Sequence, residues 1–294
     1  MSNYWAIPSY SNPGHTGLSG KPELTGLYRL QWLGVENAPK TGIVIAEMPL
    51  SLFGVDFGAG LSMYSDQIGL FATTTMSGQI AASFAMKQGR LSIGVRGGKI
   101  DESFDGTKVE IPSDDDGTLD PDDAAIPRTK ISGSAIDVGA GIFYVHEKGY
   151  AGLSVNHLLA PELNLGDKIQ KIPRAYYLTA GYNIPLDNRF ELKPSALLKY
   201  FDESSLVMEN AQLDVSMRLV YNKAVWGGLS WRQDDAVVVM LGCKIGMFEV
   251  GYAYDYPISD IATVSSGSHE LFIRCALELS QKKKSDKHKS VRLL

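Results

Sequence analysis

The sequence lacks any run of about 18 apolar residues, the length that a transmembrane helix needs. It has only two cysteines, Cys243 and Cys275. They fall on non-adjacent predicted strands, at positions that group with apolar residues, so we expect neither a disulfide nor a metal site from them. We interpret both as small residues that face lipid.

Motifs of enzymes are also missing. Five histidines are present, but none lies in an HExxH motif, and no serine lies in a GxSxG motif. A Ser/His/Asp site that the fold brings together stays open, because such sites are not recognisable from sequence order. Our interpretation is that the histidines are hydrogen-bonded residues of strands and loops, and we expect no enzyme and no cofactor.

What the sequence does contain is alternation. Several stretches alternate apolar residues with Asp, Arg, Glu, Gly or Ser, which is the period of two that is typical of β-strands. Each is about ten residues long, which suits a tilted strand that crosses a bilayer with one face toward lipid. The clearest stretches are residues 54–64, 91–99, 136–144, 213–219, 248–255 and 270–278.

The connections between these stretches alternate between short and long. Short ones lie near residues 50–52, 87–90, 147–149, 185–189, 222–224 and 246; long ones lie near 33–40, 65–69, 101–134, 158–174, 202–211 and 257–268. Residues 233–235 are the short exception in the long set. This pattern predicts an all-β protein, an outer-membrane antiparallel β-barrel of about 14 strands with short periplasmic turns and long extracellular loops.

We divide the chain into three parts. Residues 22–279 form the barrel, and residues 1–21, which are aromatic and rich in Pro and Gly, form a partial plug of the barrel or pack on its rim. Residues 280–294 form a basic periplasmic tail. The first residues show neither the basic nor the apolar region of a signal peptide, so we expect the mature chain after signal removal, with both termini in the periplasm.

Charge is concentrated in two places. Residues 101–123 carry a net charge of −9, and residues 281–294 carry +5. The segment from Asp114 to Asp123 could wrap calcium through its carboxylates, although Pro112 stands where an EF-hand would have its first ligand; the alternative is a solvated loop. The tail is either unstructured or contacts a periplasmic partner, peptidoglycan or anionic headgroups. We expect no nucleic acid partner.

Several separated motifs resemble one family. They are YWAIPSYSNPGHTGLSG, LTGLYRLQWLGVENAPKT, YAGLSVNHLL, YYLTAGYNIPLDNRFELKPSALLKY and GYAYDYPISDIATVSSGSHELFIR. In this order they resemble the PorP/SprF outer-membrane proteins of the type IX secretion and gliding systems of Bacteroidetes. The residues at characteristic family positions are Asn12, Pro13, Gly17, Gln31, Trp32, Pro39, Lys40, His157, Leu158, Tyr252, Tyr254, Asp255, Gly267, His269 and Glu270. The basic tail and the Asp-rich segment lie outside the resemblance.

The resemblance implies a non-enzymatic role in exporting or retaining cargo proteins at the cell surface. It implies three partners: the C-terminal domain of a secreted cargo protein, periplasmic or lipoprotein components of the type IX system, and the lipid bilayer. The alternative is an outer-membrane channel or small-molecule transporter, because a barrel of about 14 strands can hold an open lumen. In that case Arg96, Arg218, Arg232 and Arg274 would line it.

Overall fold

The structure is a computed structural model that describes residues 1–52, 54–109, 127–166, 168–202 and 211–278. The strands, in chain order, are β1 (Glu23–Leu30), β2 (Lys40–Leu52), β3 (Val55–Ile68), β4 (Phe71–Met86), β5 (Gly89–Asp105), β6 (Lys130–His146), β7 (Gly149–Asn156), β8 (Glu162–Leu165), β9 (Lys168–Lys171), β10 (Arg174–Tyr182), β11 (Ile184–Pro185), β12 (Phe190–Asp202), β13 (Ala211–Tyr221), β14 (Val225–Arg232), β15 (Ala236–Ile245), β16 (Phe248–Pro257) and β17 (Ser268–Ala276). No helix in these ranges is long and apolar enough to cross a membrane.

Fourteen of the strands close into one antiparallel barrel. Each pairs with its neighbour from β1 to β7, then β7 pairs with β10, β10 with β12, and the order continues to β17. The barrel closes because β1 pairs with β17 over its full length, from Glu23 opposite Ala276 to Leu30 opposite His269. The short β11 extends the β10–β12 hairpin, and β8 and β9 form a separate hairpin. The predicted outer-membrane barrel of about 14 strands is confirmed.

The outer surface of the barrel is apolar. Side chains that alternate outward remain exposed, as in Leu61 and Ile136, which are 70% and 65% exposed. Exposed aromatic residues lie near the strand ends, among them Phe84 and Tyr256. Such an apolar band with aromatic borders is what a lipid environment selects. Cys243 and Cys275 are free and lie on this outer face.

The two ends of the barrel differ. At one end, which we call the short-turn end, tight turns join consecutive strands; the other, the long-loop end, carries the longer connections. Short turns face the periplasm in barrels of this kind, so we assign the long-loop end to the cell exterior. The long connection expected at residues 65–69 is wrong, because β3 continues to Ile68 and a two-residue turn leads into Phe71 of β4.

Some strands are longer than the ten residues predicted. β4, β5 and β6 have 16, 17 and 17 residues. β7 pairs only with Ala140–His146 of β6, so the first part of β6 continues past β7 at the long-loop end. These strands therefore extend beyond the rest of the barrel at the long-loop end. There they are held together by pairing with each other.

The N-terminal segment lies inside the barrel. It forms a 3₁₀ turn (Tyr4–Ala6), a short helix α1 (Pro8–Ser11) and a second 3₁₀ turn (Pro13–His15). Residues 2–17 are called the plug below. The plug begins near Asp255 at the long-loop end and leaves past Gly58 at the short-turn end, before the chain enters β1.

The lumen is not uniformly polar. The inner face of one side carries apolar residues that pack against Ala6 and Ile7 of the plug; they are Leu27, Ile43, Ile45, Val220, Trp226, Val238, Met240, Ala253 and Phe272. The sequence pattern predicts a small and charged inner face, and this part of the prediction is wrong. The reason is physical: the plug supplies an apolar surface inside the barrel, so inward apolar residues are buried without lipid.

Candidate functional site

All four arginines predicted to line a lumen contact the plug. Arg96 donates to the backbone carbonyls of Ser9, at 3.2 Å, and Tyr10. Arg274 donates to the carbonyl of Ala6. The other two contacts are of different kinds: the Arg218 guanidinium lies 3.4 Å from the ring centre of Trp5, and Arg232 donates to the Ser2 hydroxyl at 3.1 Å. The arginines therefore retain the plug.

A buried ion network crosses the lumen near the long-loop end. Its members are Arg29, Lys199, Asp214, Arg232, Asp255 and Glu270. Arg29 bonds Asp255 at 2.7 Å and Glu270 at 3.2 Å, while Arg232 bonds Asp214 at 2.6 Å and Asp255 at 3.1 Å. Buried charges are tolerated only when paired and hydrogen-bonded, so these strands are held in one arrangement.

The start of the plug completes this ion network. The Ser2 hydroxyl donates to the Asp255 carboxylate at 2.7 Å, and the Ser2 backbone N–H donates to Glu270 at 2.8 Å. The Asn3 backbone N–H donates to Glu270 at 2.6 Å. The plug thus supplies donors to carboxylates that would otherwise keep unfilled acceptor sites.

An aromatic contact holds the middle of the plug. The Trp5 ring meets the Trp226 ring edge-on with centres 4.9 Å apart, and it meets Phe272 in the same way at 5.5 Å. Tyr10 stacks on Tyr64 with ring centres 5.7 Å apart. Edge-to-face and stacked pairs of this kind each add to the stabilisation that burial already provides.

The last part of the plug lies directly on the backbone of the wall. Asn12 is buried, and its side-chain amide donates to the carbonyls of Ile142 and Leu153 at 3.0 and 3.2 Å. A Cβ added to Gly94 would overlap the backbone of Pro13, and one added to Gly58 would overlap that of Thr16. Only glycine permits so close an approach of two backbones.

The histidine of the plug, His15, is half-buried inside the barrel. His15 packs edge-on against Phe143, with ring centres 5.0 Å apart. It belongs to the plug and not to a strand, and its burial, aided by the charge of Arg274, lowers its pKa to about 3. His15 is therefore neutral in the seated plug at physiological pH.

A cavity of about 380 Å³ lies between the plug and the long-loop end. We call it the mouth cavity. Its lining residues come from the strands, from Tyr10 of the plug and from the segment after β8; they include Tyr64, Thr73, Thr75, Arg96, Glu102, Asp137, Asn156, His157, Gln170, Lys171 and Tyr177. The cavity is rich in hydrogen-bonding groups and carries charges of both signs.

The β8–β9 hairpin covers part of this cavity. It packs on the inner face of the extended part of β6, where Gly133 lies so close to Asn164 that a Cβ would overlap its backbone. Leu163 of β8 is fully buried. Gln170 and Lys171 of the hairpin reach the cavity wall. A connection that the sequence predicts as an extracellular loop is thus in part an ordered cover of the lumen.

The residues at family positions fall into separate places. Asp255 and Glu270 belong to the ion network, and Asn12, Pro13 and Gly17 belong to the plug where it meets the wall. Gly17 has a φ of +73°, and an added Cβ would also overlap Gly58. Five of the predicted residues therefore act together in seating the plug, although they are far apart in sequence.

A second group shapes the rim at the long-loop end. The Gln31 N–H donates to the Pro39 carbonyl at 3.0 Å, just before Lys40 begins β2. The Trp32 N–H donates to the Ser268 hydroxyl at 3.1 Å, and Gly267, whose φ is +111°, accepts a bond from the Leu33 N–H at 2.8 Å. These residues join the first and last loops.

The other family positions lie on the outer face and beside the mouth cavity. Tyr252 bonds His269 on the outer face, and the neighbouring Tyr254 hydroxyl donates to the Ser266 carbonyl at 2.6 Å. Next to the cavity, His157 Nδ1 lies 3.0 Å from Asp137, and the Leu158 N–H donates to the Val138 carbonyl at 2.8 Å. The fifteen residues thus form no single site.

Several residues of the interior were not singled out by sequence reasoning. Arg29, Lys199 and Asp214 of the ion network lie on strands far apart in the chain, and Glu102 of the mouth cavity sits within the acidic stretch. In the sequence, the one feature that could have indicated them is a charged residue at a strand position that faces the lumen. Asp114–Asp123 and residues 280–294 lie outside the described residues.

Comparison with known proteins places the chain among secretion components. Solved structures similar to it include the Pseudomonas putida toluene transporter TodX, at 12% identity over 92% of each chain with a TM-score of 0.52. A FadL homologue from Pseudomonas aeruginosa aligns at 10% identity over 92% of this chain and 94% of its own, also with a TM-score of 0.52. Both show the fold alone. No curated protein matches the sequence. The family described as type IX secretion system membrane protein PorP/SprF matches residues 1–275, and the chain belongs to that family.

Proposed function

We propose that this chain is a closed outer-membrane receptor of the type IX secretion machinery that holds an exported protein at its long-loop end. The observation that carries the proposal is the pairing of a seated plug with an outward-facing cavity in one lumen. The four lumenal arginines bind the plug. The mouth cavity, between the plug and the long-loop end, can receive a side chain of a partner protein.

The partner that fits this arrangement is the C-terminal domain of a secreted cargo protein. A cavity of about 380 Å³ admits a side chain or a short loop, but not a folded domain. The domain itself would rest on the surrounding loops and on the β8–β9 hairpin. Loops held by a rigid scaffold are where recognition is usually found.

We also infer that the role is not catalytic. The family and the fold are those of a secretion-system membrane protein. The His157–Asp137 contact has a structural purpose, because it fixes the chain where it leaves β7, next to the Leu158 N–H bond to Val138. At the short-turn end, the turns and the barrel termini are the surface for periplasmic or lipoprotein components.

The test is capture of partners from the native envelope. The tagged protein would be isolated in mild detergent, and the retained proteins would be identified by mass spectrometry. A variant with a short turn in place of residues 158–174 should lose the cargo domain while its barrel stays folded. The matched control exchanges the turn at residues 222–224, at the opposite end, and should keep it. Cargo retention by the first variant would contradict the proposal.

The second candidate is a small-molecule transporter. A smaller cavity of about 170 Å³ lies on the other side of the plug, between Tyr4, His15 and the short-turn end. Two cavities separated by a movable plug would suit stepwise passage, and a toluene transporter shares the fold. Steady conductance of the intact protein in a planar bilayer, or uptake of a small solute by vesicles that contain it, would favour this candidate.

A further inference from the structure

We propose that the mouth cavity binds a cationic side chain, a lysine or an arginine of the partner protein, through the carboxylate of Glu102. The inference rests on the proposed function, because it names the chemical group that the captured protein presents. It follows from three observations: a buried carboxylate in the cavity, the pairing of the cations nearby, and further acceptors on the same wall.

Glu102 is a buried carboxylate without a charged partner in the described part of the chain. It faces the lumen on β5 and is only 7% exposed. Among the described residues the Thr73 hydroxyl donates to it over a long 3.5 Å, and the uncharged Gln170 amide of the β8–β9 hairpin is its other polar neighbour. No cationic nitrogen of the described residues lies within 4.0 Å of it. A buried carboxylate in this state gains strongly from an entering cation, since its desolvation is not yet compensated.

None of the cations that line the cavity forms an ion pair with Glu102 among the described residues. Arg96 lies deeper on the same strand and donates to the plug carbonyls. His157 is held by Asp137 at 3.0 Å. Lys171 is exposed on β9, and its ammonium group lies more than 4.0 Å from any carboxylate of the described residues. The position beside Glu102 is therefore left for a cation from outside.

Other groups of the wall suit the same ligand. The Asn156 side-chain oxygen is buried and accepts no hydrogen bond from the described residues. Tyr64 and Tyr177 also line the cavity, and aromatic faces attract cations. Oxygen acceptors together with aromatic rings favour an ammonium or guanidinium group over a neutral one.

The cavity should also discriminate against other side chains. An apolar side chain would displace water from Glu102 and leave the carboxylate with no replacement, which is unfavourable. An acidic side chain that enters beside Glu102 would meet an unpaired carboxylate, and like charges at short range repel. Selectivity for a basic residue thus comes from repulsion as well as from attraction.

The experiment uses the full chain in detergent and two probes that differ only in the terminal ammonium group. Nα-acetyl-lysine amide and Nα-acetyl-norleucine amide would be titrated by calorimetry or by saturation-transfer NMR. We expect lysine amide to bind and norleucine amide not to bind. Glu102→Gln should weaken lysine binding at least about tenfold, the size expected for loss of a hydrogen bond to a charge.

The matched control is Asp101→Asn. It removes the same charge one residue away, where the side chain points outward and bonds Lys99, so lysine binding should be unchanged. Heat-modifiable migration on gels would establish that both variants are folded. Equal binding of the two probes, or unchanged lysine binding in Glu102→Gln, would overturn the inference. Cargo capture that survives in Glu102→Gln while the 158–174 exchange abolishes it would also overturn it, and would leave the proposed receptor function standing.

Discussion

The Glu270 carboxylate accepts a hydrogen bond from the Asn3 backbone N–H at 2.6 Å, across 267 residues of sequence. The same carboxylate bonds Arg29 of β1 at 3.2 Å and accepts the Ser2 N–H at 2.8 Å. One fully buried side chain of the last strand therefore ties together the plug, the first strand and the last strand.

Replacing Glu270 should loosen the plug and destabilise the barrel together. In Glu270→Gln, Arg29 loses a charged partner and one of the plug N–H groups loses its acceptor. Removing one partner of a buried ion pair costs about 3–5 kcal/mol. We expect a lower unfolding midpoint in detergent and faster chymotrypsin cleavage within the plug. Glu278→Gln, which removes an exposed pair with Lys21, should change neither measurement.

The contact between plug and wall at Gly94 should not tolerate a side chain. Gly94→Val places atoms where the Pro13 carbonyl lies, so the plug must shift or leave. Gly97→Val is a matched control on the same strand, because a Cβ there meets nothing within 4 Å. We expect a spin label on the plug to become mobile in the first variant only. An immobile label in Gly94→Val would show that the plug adapts without leaving its seat.

Deletion of residues 2–20 should open the lumen. The plug fills the space between the ion network and the short-turn end, so its removal leaves a continuous polar path beside the apolar residues. We expect the intact protein to be silent in planar bilayers and the deletion variant to conduct and to unfold at lower temperature. Equal thermal stability of the two proteins would contradict the role assigned to the plug.

Acid should weaken the seated plug through His15. Its pKa is about 3 in the folded protein and about 6.5 when the plug is unfolded, so only the unfolded form gains a proton between these values. Stability is therefore full above about pH 6.5 and falls below it, by up to about 1.4 kcal/mol per pH unit. His15→Gln should flatten this dependence relative to the wild type in thermal unfolding at pH 7 and pH 5. His146→Gln, at the short-turn end, should keep the wild-type slope.

The barrel was predictable because its signal is local. The faces of residues such as Leu61 and Ile136 follow from alternation alone, and the strand number follows from the gaps. The two-residue turn after Ile68 was missed because the strand continues in polar residues beyond the lipid boundary. There, pairing between β3 and β4 and not hydrophobicity decides where a strand ends.

The interior was less predictable because its contacts are not local. Nothing near Arg29 in the sequence indicates that its partner is Asp255, 226 residues away. Leu27 and Ile43 look like lipid-facing residues by composition, yet they face the plug. Of the family positions, Asp255 and Glu270 lie in the ion network, but their partners on β1 and in the plug follow only from the closed barrel.

The seam of the barrel has a consequence for how the protein is assembled in the membrane. β1 meets β17 where Arg29 faces Glu270, and both of these groups also bond the plug. In the final register, Glu270 has its two backbone N–H donors, from Ser2 and Asn3, only when the N-terminal segment lies inside the barrel. We therefore expect the N-terminal segment to enter before β1 pairs with β17 during membrane insertion, because a barrel that closes without it would leave acceptors of the buried Glu270 carboxylate unfilled at this contact.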